Sequence, residues 1–397
     1  MPSADAFPRN PRIVPPSAPS GPGYWEVLCE VAAGAGLDVV GVAPVDPMLR
    51  ARAAIEDRIA RDMVNGMRFT FLRPRRSTTP ADLVEGARSV IVAMLPYAHD
   101  DASGDDATVA SPLAPGRPLA DVARYAGRDH VGELKSALSI VTARLRRDGH
   151  RATVFADDNA IVDREAARLA GLGWFGKNAN ILVPGRGSWF VIGCVVTTAD
   201  LPVARPVEDG CGTCSRCVPA CPTGAIAGPG VIDARRCLSW LLQKPGIFAR
   251  EHRVALGSRI YGCDDCQTAC PVNRRHAGGA PVGREGSRVD VLAMLALDDG
   301  ALDEAVERWW VESRDMAWVR RNLLIVLGNI GDPRDEEVRT AVRVHLAHPR
   351  PEVRAHALWA AARLGLADVV EAHRISGDGA AEVVDELAHL PPLRPDL

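Results

Sequence analysis

The stretch CGTCSRCVPACP, from Cys211 to Pro222, sets four cysteines at spacings of two, two and three residues and closes with a proline. Downstream, Cys237 stands alone, and CDDCQTACP then repeats the end of the pattern with Cys263, Cys266, Cys270 and Pro271. Each iron corner of a four-iron, four-sulfur cube needs one soft thiolate. A tight turn with two-residue spacings supplies three of them, and the fourth comes from elsewhere. Eight of the ten cysteines fall into this scheme, leaving Cys29 and Cys194.

The spacing is that of bacterial ferredoxins with two [4Fe–4S] clusters, where the last cysteine of each run crosses to the other cluster. Carried over, Cys211, Cys214, Cys217 and Cys270 hold one cube, and Cys221, Cys237, Cys263 and Cys266 hold the other. Two structural zinc sites are the first alternative, but zinc knuckles pair two separated C-x2-C turns and have no use for the doubled 2-2-3 run. A disulfide framework is the second; it requires an oxidising compartment, and no export signal is recognisable at the N-terminus.

The 47 basic and 50 acidic residues nearly cancel, to a net charge of −3, so charge by itself excludes little. Only Lys135, Lys177 and Lys244 are lysines. No apolar run reaches the ~18 residues of a membrane span. The expectation is a soluble, cytoplasmic protein in which thiols stay reduced and clusters can be built.

At 397 residues the chain has room for two or three domains. Residues 1–23 hold seven prolines and almost no apolar pattern, and are expected to be a disordered tail. An α/β domain is expected over residues 24–200. Its elements are a helix from Tyr24, a strand over Leu37–Val42, a helix around Met48–Met67, a strand over Ser89–Tyr97, a helix over Val131–Gly149 and a strand over Ala152–Ala156. Residues 98–119 are acidic and rich in glycine, and are expected to be a mobile excursion. Asp157 and Asp158 follow the last strand at the mouth of a helix over about Ile161–Leu172, where α/β proteins place reacting groups; capping of that helix is the plain alternative. No G-x-G-x-x-G follows a strand and no phosphate-binding G-x4-G-K-[ST] occurs.

Residues 201–280 form the expected ferredoxin-like domain, and 281–397 turn helical. There Val319-Arg320-Arg321-Asn322-Leu323-Leu324 aligns with Val353-Arg354-Ala355-His356-Ala357-Leu358 at an offset of 34 residues, like stacked HEAT-type repeats. Arg308, Arg314, Arg320, Arg321, Arg334, Arg339, Arg343 and Arg354 read as an outer, phosphate-contacting face.

Several phrases together resemble the epoxyqueuosine reductase family from about residue 25 to the repeats. They are RYAGRDH at Arg124–His130, Asp157 with Asp163-Arg164, AGLGWFGK at Ala170–Lys177, GSWF at Gly187–Phe190, RIYGCDDCQ at Arg259–Gln267, and Arg321-Asn322 before Leu327-Gly328-Asn329. The resemblance implies a nitroreductase-like α/β domain that holds cobalamin, and two [4Fe–4S] clusters feeding it from an external low-potential donor. It also implies a tRNA substrate modified at the wobble position, a monomer, and Asp157 as proton donor. Arg76, Arg124, Lys177 and Ser188 are the cobalamin contacts it suggests, while Tyr125, Asp129 and His130 read as structural. The family commonly has Asp-Ser-Ala-Pro-Val-Leu-Glu-Arg where this chain has DDNAIVDR over Asp157–Arg164, so the loop around the acid differs. No Asp-x-His-x-x-Gly occurs, which favours a cobalt without a histidine ligand. A corrinoid reductive dehalogenase-like enzyme and a pure two-cluster electron carrier are the alternatives.

Overall fold

The computed structural model describes residues 18–97, 116–276 and 288–395. Most of the expected tail (1–17) and of the excursion (98–115) lies outside the described residues. The described residues form eleven short strands: β1 (Val39–Ala43), β2 (Ser89–Pro96), β3 (Leu119–Val122), β4 (Ala152–Ala156), β5 (Trp174–Phe175), β6 (Ile181–Leu182), β7 (Phe190–Thr197), β8 (Ile226–Gly228), β9 (Val231–Ile232), β10 (Arg259–Tyr261) and β11 (Arg288–Asp290).

The main sheet runs β1-β2-β7-β4, and every neighbouring pair is antiparallel, with Val92 opposite both Gly41 and Cys194. Successive side chains of a strand point to opposite faces, and here both faces are covered. Ile91, Ala93 and Val195 pack with Leu28, Leu134, Leu138 and Val141 from helices Gly21–Gly34 and His130–Arg147. Val90, Val92, Met94, Cys194 and Val196 pack with Ala166 and Ala167 from helix Asp163–Leu169. That two-sided burial is why β2 reads as an unbroken apolar run. A Cβ on Gly193 would lie 2.6 Å from Leu138 Cδ1, so glycine is what lets the helix seat this closely.

Two expectations need correcting. The first helix begins at Gly21, so residues 21–23 belong to the folded chain. The sheet has no parallel crossover, so the rule that placed a reacting group at the carboxyl ends of parallel strands does not apply to Asp157.

A second sheet, β10-β3-β11, joins three distant parts of the chain. Its centre, Leu119–Val122, pairs in parallel with the strand entering Cys263 and antiparallel with the strand entering the C-terminal helices. Those helices are Ala317–Ile330, Glu336–Leu346, Pro351–Arg363, Ala367–Ser376 and Ala381–Ala388. The two helices related by the 34-residue offset pack side by side and share one core, with Leu323, Leu324, Leu327, Leu358 and Trp359 all at or below 2 % exposure.

The expected outer arginine face is not formed. Arg321 is 1 % exposed and donates to the carbonyls of Lys244 and Gly246, 2.7 Å each; Arg320 is 5 % exposed and pairs with Asp299 at 2.8 Å. Arg314 pairs with Asp303, Arg334 with Asp332, Arg339 with Asp368, Arg343 with Glu336 and Arg354 with Asp378. Arg320 and Arg321 thus face inward, and the other five named here are each paired with an acid, Arg334 and Arg343 while still exposed.

Candidate functional site

The eight cysteines sit on short turns fixed by the local sequence. Cys217 opens a one-turn helix to Ala220, Cys237 precedes Leu238–Leu241, Cys266 lies in Asp265–Thr268, and Cys270 precedes the helix that starts at Pro271. Helix starts point N–H groups outward. Accordingly, the backbone N–H groups of Ser239 and Trp240 favour the Cys237 thiolate, those of Val272 and Asn273 favour Cys270, and Ala225 N–H donates to Cys221 Sγ at 3.2 Å.

The electrostatic neighbours of the thiols fall into two sets. Burial raises Cys217, and Cys270, Cys211 and Cys214 raise it further; Cys270 is raised by burial and then by Cys211 and Cys214. Burial likewise raises Cys266, with Cys237, Asp264, Cys221 and also Cys217 of the first set adding to it, so the two sets adjoin at Cys217 and Cys266; Cys237 feels Cys221, and Cys263 feels Asp265 and Cys266. All eight are free thiols. Among the described residues no three His, Cys, Asp or Glu side chains stand close enough to hold a single metal ion. Trp174 packs against Cys270 and Cys211, and its indole Nε1 is buried with no hydrogen-bond partner among the described residues. A buried donor without an acceptor is costly, and a cluster sulfur beside those cysteines would satisfy it.

The cluster loop is bolted to the main sheet by a buried polar network. Ser188 N–H donates to Asn273 Oδ1 at 2.6 Å, and Asn273 Nδ2 donates to Ser188 Oγ at 3.0 Å and to the Gln267 carbonyl at 2.7 Å. Gln267 Nε2 donates to the Ser188 carbonyl and hydroxyl, both at 3.1 Å, and to the Tyr97 hydroxyl at 3.3 Å. Lys177 Nζ donates to the carbonyl of Gly212 at 2.9 Å, and Asn178 Nδ2 to that of Cys266 at 3.2 Å. Of the expected cofactor contacts, Ser188, 5 % exposed, and Lys177 both hydrogen-bond to the segments that carry the cysteine turns.

Arg124 is buried, with its guanidinium 5.2 Å above the Trp189 ring, and its backbone N–H donates to Asp264 Oδ2 at 2.7 Å. Burial pushes the Asp264 carboxyl up to about 6, against the lowering effect of Arg124. Arg76 is exposed on the one-turn helix Pro74–Ser77.

Asp157 ends β4 in the left-handed region, φ 51°, which is strained for a side-chain-bearing residue and typical of functional loops. The plain capping alternative fails, because helix Asp163–Leu169 has Val162 at its N-cap and no side-chain cap; Asp158 instead accepts from Ala160 N–H at 2.7 Å. The loop is held from below by Ser77, whose hydroxyl donates to the Asn159 carbonyl at 2.6 Å and whose carbonyl accepts from Val162 N–H at 3.0 Å. The Asp157 charge reaches two groups, Asp163, whose carboxyl is raised mainly by burial, and the Tyr261 phenol. Tyr261 stacks on Trp309 at 4.7 Å and accepts from Trp310 N–H at 2.8 Å. Sequence reasoning missed these aromatics and the Gln267–Asn273 clamp, since no spacing pattern links partners so far apart in the chain.

Residues 210–273 match the profile of the 4Fe-4S double cluster binding domain. The epoxyqueuosine reductase of Xanthomonas campestris pv. campestris is 32 % identical over 347 residues, covering 85 % of this chain and 95 % of that protein. The chain belongs to the epoxyqueuosine reductase family. An epoxyqueuosine reductase from Vibrio cholerae is 36 % identical over 264 residues, 63 % of this chain and 68 % of that one. A crystal structure of epoxyqueuosine reductase with an epoxyqueuosine-modified tRNA-Tyr stem loop superposes with a TM-score of 0.80 at 25 % identity, covering 92 % of this chain and 97 % of that one. Epoxyqueuosine reductases are oxidoreductases, and the double-cluster region fits such a role.

Proposed function

We propose that this protein reduces epoxyqueuosine to queuosine at the wobble position of tRNA in the cytoplasm. The observation that carries the reading is the match of residues 210–273 to a double-cluster domain, with its eight thiols as mutual neighbours, in a chain that covers 95 % of the Xanthomonas reductase. Cys211, Cys214, Cys217 and Cys270 would hold one [4Fe–4S] cluster, and Cys221, Cys237, Cys263 and Cys266 the other. Because burial disfavours each free thiolate, iron would supply the compensating charge and couple cluster loading to folding of this region. Trp174 would donate its indole N–H to the first cluster.

Reduction of an epoxide to an alkene consumes two electrons and two protons and releases water. Cobalamin, when bound, would supply a strongly nucleophilic reduced metal able to collect electrons that the clusters deliver singly. The residues present suit it: Trp189 has a buried indole Nε1 without a partner among the described residues, beside the Arg124 guanidinium, and amide-rimmed macrocycles need such donors. Arg76 would add a second cation at the edge of the Asp157 loop. Asp157 would hold the proton given to the departing oxygen. Burial keeps the Tyr97, Tyr125 and Tyr261 phenols protonated, Tyr261 up to about 12, so they act as neutral walls and donors. In finer terms, residues 24–200 would form a nitroreductase-like catalytic domain, 201–280 a ferredoxin-like domain and 281–397 HEAT-like repeats. An external low-potential donor would feed the monomer.

Anaerobically reconstituted protein, with its corrin and iron content verified, should convert an epoxyqueuosine stem loop to a product lighter by one oxygen, and the Asp157→Asn protein should not. Fully loaded wild-type protein that leaves the epoxide untouched would refute the reading.

A further inference from the structure

Three aromatic rings from distant parts of the chain meet one another. Phe69 lies 5.3 Å from Trp310 and 5.8 Å from Trp240, and the two indoles are 6.2 Å apart. Trp240 is buried, Phe69 is half-buried, and Trp310 remains 39 % exposed. Trp310 is held at its backbone by the Tyr261 hydroxyl and through its neighbour Trp309, which stacks on the Tyr261 ring. A large aromatic kept rigid and left partly bare is a platform whose conformational entropy has already been lost.

The segment that contributes Phe69 also carries Arg68, Arg73 and Arg75. All three are exposed, and among the described residues none of their guanidinium groups has an ion-pair or hydrogen-bond partner. The contrast with the C-terminal helices, whose arginines are consumed by acidic neighbours, is sharp. Ser77 ties this segment to Asn159, and Tyr261 stands within reach of the Asp157 charge. One segment, residues 68–77, thus carries an aromatic ring, three unneutralised cations and the hydroxyl that holds the Asp157 loop.

An aromatic plane next to a row of free guanidinium groups matches single-stranded nucleic acid, which offers a base face and a phosphate at every step. An acidic peptide would satisfy the cations and leave the indole bare. We infer that Trp310, on its bed of Phe69 and Trp240, stacks a base of the RNA loop next to the nucleotide being reduced, while Arg68, Arg73 and Arg75 take phosphates of the same strand. This assignment rests on the tRNA reading above.

The test is binding of an unmodified tRNA-Tyr anticodon stem loop to the full-length, cluster-loaded protein, followed by tryptophan fluorescence and anisotropy. Wild type should bind with quenching. Trp310→Ala should weaken binding about tenfold, and Trp310→Phe should keep most of it. The triple Arg68→Ala, Arg73→Ala, Arg75→Ala variant should flatten the log–log salt dependence by about one per guanidinium removed. Unchanged unfolding midpoints in these variants exclude misfolding as the cause. If wild type binds the stem loop and Trp310→Ala binds it equally well, the platform is overturned while the tRNA reading stands. If wild type binds an acidic peptide as tightly as the stem loop, the nucleic-acid assignment of this surface is overturned. If wild type binds no stem loop at all, the tRNA reading itself fails.

Discussion

At the scale of single residues, the cysteines were legible because a cube dictates both ligand type and spacing, so the sequence has little freedom around them. The hydrogen bonds of Ser188 and Lys177 were not legible, because their partners, Asn273 and Gly212, lie 85 and 35 residues away. Asp157 was found by resemblance, yet its left-handed φ of 51° is the physical mark of its loop. Asparagine tolerates that region well, so Asp157→Asn should fold normally while turnover falls by about 10²- to 10⁴-fold, the usual worth of a positioned proton donor. Trp174→Phe should keep the packing against Cys270 and lose the N–H. Because hydrogen bonds to cluster sulfurs favour the reduced state, the midpoint potential of one cluster should fall in an anaerobic redox titration followed by electron paramagnetic resonance. An unchanged potential would mean that Trp174 does not reach the cluster.

At the scale of elements, helices and the 34-residue offset were legible from periodicity, but the direction in which their arginines face was not. Helix Ala317–Ile330 is buried over most of its circumference, Arg320 and Arg321 included, and an amphipathic pattern gives no warning of that. Instead of meeting solvent, Arg321 holds the turn after Cys237 through backbone carbonyls. Nearby, Arg253 and Glu386, 0 % and 1 % exposed, pair at 2.9 Å. Glu386→Ala should cost about 3–5 kcal/mol in denaturant unfolding, since it leaves a buried charge alone. His356 is locked neutral: Nε2 accepts from Phe248 N–H at 3.2 Å, Nδ1 donates to the Glu352 carbonyl at 2.6 Å, and burial, aided by Arg253, holds its pKa well below 6.5. Below about pH 6.5 the unfolded chain takes up a proton that the folded chain refuses, so this part of the stability is present at neutral pH and lost as pH falls. Unfolding midpoints measured at pH 7.5 and 5.5 should differ less in His356→Gln than in wild type.

At the scale of the molecule, the long helices and the central strands of the α/β region were readable, whereas the short strands, the antiparallel topology and the joining sheet were not, because strand pairing is set by partners remote in sequence. The β10-β3-β11 sheet and the Ser188–Gln267–Asn273 network together fix the cysteine turns against the Asp157 side of the fold. Asn273→Ala should leave buried donors and acceptors unpaired at a cost of about 1–3 kcal/mol each, and should speed loss of iron to a chelator. Gly187→Ala should do the same, since its Cβ would fall 2.2 Å from Asn273 Oδ1 at a φ of 81°. The central claim is that this arrangement finishes queuosine in tRNA, and nucleoside mass spectrometry of tRNA from cells lacking the protein tests it most directly. Epoxyqueuosine should accumulate at the expense of queuosine and be cleared by the wild-type gene but not by Asp157→Asn. Normal queuosine in the deleted cells, with no other reductase of this family present, would contradict the account.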